Sequence, residues 1–113
     1  MKISDLNAYG ANVEEGLRRC LNNEEFYLRL VRKAAADASF QKLYEALAAG
    51  DISAAFEAAH ALKGAMGNLA LTPIYLPVAE LTEILRERKS EGCDGLVEAI
   101  RKAQNELEAI CSQ

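Results

Sequence analysis

The sequence predicts an all-α domain, an antiparallel four-helix bundle with shorter helices at its N-terminal end. Three observations carry that prediction. Alanine and leucine number 20 and 15 against only 10 valines plus isoleucines, a balance that favours helix over strand. Apolar residues recur at spacings of three and four through several segments, and no stretch alternates as a strand would. The chain has 113 residues, half of them hydrophobic and 27% charged, so a single core can be buried without metal or disulfide support.

The elements follow in order. Ile3 to Tyr9 reads as a short amphipathic helix interrupted by Tyr9-Gly10-Ala11-Asn12, with Asn12 placed to cap the next. Val13, Leu17, Cys20 and Leu21 then share a helical face, and Glu14 and Glu15 sit in the first turn, where the helix dipole favours anions. Asn23-Glu24-Glu25 opens a third helix with Phe26, Tyr27, Leu30, Val31 and Ala34 on one side, running up to Asp37. Ser39 is placed to cap a fourth, in which Phe40, Leu43, Tyr44 and Leu47 repeat until Gly50 stops it. Asp51 caps the longest alanine-rich stretch, through Ala70. Thr72-Pro73 starts the following helix, because proline is preset for a first turn. Its apolar face is Ile74, Val78, Leu81, Ile84 and Leu85, and Pro77 should kink its second turn by removing a backbone donor. After the loop SEGCDG, Leu96, Ile100, Ala103, Leu107 and Ile110 form a narrow apolar stripe.

Charge and cysteine usage narrow the function. The net charge is -4, and basic residues are interleaved with acids, which argues against nucleic acid or an anionic membrane as partner. Cys20, Cys93 and Cys111 are odd in number and form no CxxC pair, so neither a disulfide framework nor a zinc site is expected. No signal peptide and no apolar run of about 20 residues is seen, and the expectation is a cytoplasmic, reducing setting. There is one histidine, His60. Mechanisms that need two are closed to a single chain.

A helical wheel locates that histidine. With His60 at zero and about 100° per residue, Ala58, Leu69, Leu62 and Ala55 fall between about 160° and 220°, so the core face is opposite and His60 points outward. Beside it lie Ser53, Gly64, Gly67, Phe56 and Lys63, all within about 60°. Glycine costs roughly 1 kcal/mol relative to alanine inside a helix, and this helix uses alanine freely elsewhere. Gly64 and Gly67 therefore look placed for close approach by another molecule. The plainer alternative is that one of the glycines ends a shorter helix and His60 is an incidental surface residue.

The run His60-Ala61-Leu62-Lys63-Gly64-Ala65-Met66-Gly67-Asn68-Leu69 resembles the phosphorylation motif of histidine-containing phosphotransfer (HPt) domains, His-x-Leu-Lys-Gly followed by small residues. VEEGLRRCLNNEEFYLRLVRKAAAD resembles the family's opening helices and NLALTPIYLPVAELTEILR its later hairpin, so the likeness extends over nearly all of 1–113 as a single HPt domain. Two positions depart from the family pattern. Ala70 stands where a further glycine is usual, and Pro77 where a regular helix is expected.

The resemblance implies a four-helix bundle whose exposed histidine is phosphorylated on Nε2 by a receiver domain's aspartyl phosphate and passes the group to another receiver. On that basis His60 is the phosphoacceptor and Lys63 the cation near the phosphoryl oxygens. Gly64, Gly67, Phe56 and Ser53 belong to the receiver-docking face, with Phe56 and Met66 at its edge. The implied partners are response-regulator receivers and a hybrid sensor histidine kinase, met by a monomer. No cofactor is expected in this chain, since Mg²⁺ and the acidic pocket would be the receiver's. No phosphate-binding GxxxxGK[ST] is present, so a phosphate carrier without ATP-dependent kinase activity is expected. Two other readings remain: a helical adaptor that binds a partner without chemistry, and a metal-binding bundle, for which only Glu57 and His60 offer the Glu-x-x-His spacing.

Overall fold

Asn12, Asn23 and Asp51 each turn a side-chain oxygen onto a backbone N–H three residues ahead, at 3.3, 3.0 and 3.1 Å. These are the starts of three of the seven helices in the computed structural model, which describes residues 1–113. In chain order they are α1 (Ile3–Tyr9), α2 (Val13–Arg19), α3 (Glu24–Ala35), α4 (Ser39–Ala49), α5 (Ile52–Asn68), α6 (Thr72–Arg86) and α7 (Asp94–Cys111), with no strand. The all-α prediction and the three caps hold. Ser39 is corrected: it is the first helical residue, and its N–H donates to Asp37 Oδ1 at 2.8 Å, so the aspartate supplies the start of α4.

Helix ends show what the sequence concealed. Gly10 and Gly50 stop α1 and α4 at φ +106° and +72°, the left-handed conformation glycine adopts freely. α2, α5 and α6 stop in the same way without glycine, through Leu21, Ala70 and Arg88 at φ +58°, +55° and +62°. At the end of α5 the Leu71 N–H reaches back to the Met66 carbonyl at 2.9 Å and the Ala70 N–H to the Gly67 carbonyl at 3.1 Å. This paired closure is the Schellman motif, and Met66 and Leu71, both fully buried, supply its accompanying apolar contact. Ala70 thus occupies the position for which the family's usual glycine is suited.

The long helices pack neighbour on neighbour, α4 against α5, α5 against α6 and α6 against α7, while α3 lies on α7. Short connections between α4, α5 and α6 make these antiparallel. One contiguous core joins them, with Phe40 and Leu43 of α4, Leu62 and Met66 of α5, Ile74, Val78, Leu81 and Leu85 of α6, and Ile100 and Leu107 of α7. α5 faces it with Ala55, Ala58, Ala59, Leu62 and Met66, of which Ala55, Ala58 and Leu62, together with the buried Leu69 just past the helix, are the face predicted by the wheel. α6 continues through Pro77 to Arg86.

Two apolar residues read as core lie outside it. Leu21 is 88% exposed because it forms the left-handed exit of α2, and Phe26 is 38% exposed in the first turn of α3. Tyr27 takes the inward place beside it. Its ring lies against Gly16 of α2, its hydroxyl donates to the Leu69 carbonyl at 2.9 Å, and burial pushes its phenol up to about 12. A β-carbon on Gly16 would come within 2.5 Å of that ring, so the buried glycine is what lets α2 and α3 close.

Candidate functional site

Asp51 caps α5 and Ala70 closes it, and between them the alanines bury one face and leave His60 exposed on the other. Neither Gly64 nor Gly67 ends the helix, which runs through both to Asn68. Gly64, one turn after His60, is exposed, and an added β-carbon would meet nothing within 4 Å. The imidazole is therefore unshielded on that side. On its other side, one turn earlier, the Phe56 ring stacks on it with centroids 5.7 Å apart and planes 17° from parallel. The Arg86 guanidinium carbon lies 5.1 Å from the Phe56 centroid, so the phenyl is itself held from α6. Such a stack covers part of one ring face of an imidazole that is otherwise exposed.

Lys63 is half-buried and lines the same open depression as His60, a volume of about 650 Å³. The Arg86 hydrogen bond holds the Glu83 carboxyl below the usual carboxylate range, and the Lys63 charge adds to the effect.

Three other residues of the expected docking face sit differently from the prediction. Gly67 is covered from within: a β-carbon there would come 2.9 Å from the Tyr75 ring of α6, and the close approach it permits is between helices. Ser53 is exposed, but its hydroxyl accepts from Arg88 Nη1 at 2.5 Å, which ties the segment after α6 to the first turn of α5. Met66 is fully buried and is no part of the edge.

The depression also has a wall that the sequence did not reveal. Asn12, Glu15 and Arg19, from α2 and its cap, line it together with Asn68, Ala70, Thr72 and Tyr75. Asn12 donates its backbone N–H to the Ala70 carbonyl at 2.9 Å, and Arg19 Nη1 reaches the Gly67 carbonyl at 2.5 Å. The only local signal was the spacing of Glu15 and Arg19, which pair at 3.1 Å across one turn. No three His, Cys, Asp or Glu side chains come together as a metal site, and no helix is long and apolar enough to cross a membrane.

An all-helical bundle that presents a single, unshielded histidine from the middle of a long helix, beside a cation and a bare glycine, has the form of a histidine phosphocarrier. The Hpt domain family model matches residues 29–113, and the chain belongs to that family. Neither the curated proteins nor the solved structures give a significant match. Hpt domains carry phosphoryl groups on histidine in phosphorelays, interact with response-regulator receiver domains, and act as phosphocarriers rather than kinases.

Proposed function

We propose that this chain is a phosphorelay intermediate that accepts a phosphoryl group on His60 from a receiver's aspartyl phosphate and returns it to the aspartate of another receiver. The observation that carries the reading is His60 itself, exposed on α5 with open space over Gly64 and one ring face partly covered by Phe56. In the forward step the lone pair of Nε2 attacks phosphorus and the P–O bond to the aspartyl carboxylate breaks. The carboxylate leaves with the bonding electrons, and the proton on Nδ1 stays in place. The reverse step regenerates the free imidazole.

Such transfer is mainly positioning and charge neutralisation. Lys63 supplies a positive charge toward the phosphoryl oxygens from the depression it shares with His60. The Mg²⁺ and the acidic pocket belong to the receiver, and this chain contributes no cofactor and no ATP-dependent kinase activity. Gly64 leaves room for the receiver surface to descend on the imidazole. Receivers, including one attached to a hybrid sensor kinase, are the proposed partners of a monomeric, cytoplasmic carrier.

Incubation with phosphorylated receivers tests this. Acid-labile, base-stable phosphate is expected on the wild-type protein and none on His60→Gln. A wild-type protein that takes no phosphate from any receiver of its own genome, or a His60→Gln variant that still takes it, leaves only an adaptor role.

A further inference from the structure

The family match begins at residue 29, so α1 and α2 precede it. Yet α2 and its cap build one wall of the depression around His60, through Asn12, Glu15 and Arg19. That wall is fixed to the end of α5. The Gly67, Leu69 and Ala70 carbonyls accept from Arg19, from the Tyr27 hydroxyl and from the Asn12 backbone respectively. A cation at this point is also favoured by the negative end of the α5 dipole.

Arg19 is held rather than consumed by these contacts. Its Nε pairs with Glu15 and one Nη1–H goes to Gly67, which uses two of the five donors of a guanidinium. The side chain remains 44% exposed, with the other donors free for an acceptor arriving from solvent. Gly67 is seven residues beyond His60, about 10 Å along the helix. Arg19 is therefore too remote to hold the transferred phosphoryl group. It is well inside the footprint of a partner docked on His60, since an interface of about 800 Å² per side reaches roughly 16 Å from its centre.

We propose that Arg19 is a specificity-determining contact for the receiver, reading a carboxylate or carbonyl on the receiver surface that docks over His60. The inference rests on the phosphotransfer reading and adds to it: partner choice is set partly by a helix outside the matched family region. Glu15 orients the guanidinium, and the fixed fork of Arg19 would discriminate between receivers by whether they present an acceptor there.

The test starts from protein phosphorylated on His60 by potassium phosphoramidate, a donor that needs no docking surface, and follows transfer to a panel of purified receivers. For Arg19→Gln the expected result is a rise of about tenfold in KM for the preferred receiver, kcat within twofold of wild type, and an altered ranking of receivers. Labelling by phosphoramidate and the helical circular dichroism should be unchanged. Arg19→Lys, which keeps the charge and loses the fork, should lie between the two. Lys33→Gln, the same charge change on exposed α3 outside the depression, should leave KM as it was. Unchanged KM and ranking in a folded Arg19→Gln protein, or an equal effect from Lys33→Gln, overturns the proposal and leaves the phosphotransfer reading intact. Failure of the phosphorylated wild-type protein to transfer to any receiver overturns both.

Discussion

Ala70→Gly should stabilise the protein. Ala70 sits at φ +55° in the closing turn of α5, where its N–H and that of Leu71 return to the Gly67 and Met66 carbonyls. A left-handed backbone costs an ordinary L-residue about 1–2 kcal/mol, through the clash of Cβ with the following carbonyl. Glycine removes that clash but has more freedom to lose on folding, a penalty of roughly 0.5–1 kcal/mol. The difference leaves a net gain of about 0.5–1 kcal/mol, and the methyl being removed is only half-buried. For a domain of this size that gain corresponds to a rise in Tm of about 2 to 6 °C. Urea titration and thermal melting of the two proteins measure it directly. A midpoint that stays the same or falls would refute the left-handed closure, and with it the explanation of why this position suits glycine.

Two other glycine positions should respond in opposite ways. Gly16→Ala should destabilise by about 1–3 kcal/mol in urea titration, because the new methyl meets the buried Tyr27 ring at 2.5 Å while the Tyr27 hydroxyl is held by the Leu69 carbonyl. Gly64→Glu should leave the circular dichroism and the melting cooperativity intact, since the site opens to solvent, and should slow receiver-dependent phosphotransfer at least tenfold by crowding and like-charge repulsion. Wild-type transfer rates in that variant would remove Gly64 from the docking face.

Local chemistry was legible in the sequence, and tertiary neighbours were not. Asn12, Asn23 and Asp51 announce helix starts because a cap depends only on residues within one turn. His60 could be placed outward because the wheel needs only the periodicity of α5. The same wheel put Gly67 beside Gly64 and could not tell them apart. What separates them is Tyr75, which reaches Gly67 from the next helix and leaves Gly64 bare. Met66 lies about 120° from His60 on the wheel and about 20° beyond Ala55, so the periodicity already sets it on the buried side and away from the approached face. Leu21 looked like core because an apolar residue at helical spacing carries no mark that its backbone turns left-handed. Arg19 went unseen for a related reason: its value lies in the Gly67 carbonyl, 48 residues away in the chain.

The inward face of α5 carries Ala55, Ala58 and Ala59, and their small side chains admit α4 on one side and α6 on the other. The helix that bears His60 is thereby packed against a neighbour on each flank while its outer face stays open. Local opening begins where backbone is least covered, at chain ends and loops, and this segment lies far from both conditions. A docking partner consequently meets a backbone already ordered, and little of the ordering entropy of association falls on the helix that carries the histidine. Affinity can then stay modest while the reacting atoms still meet in register, which suits a carrier that must release one partner before it engages the next.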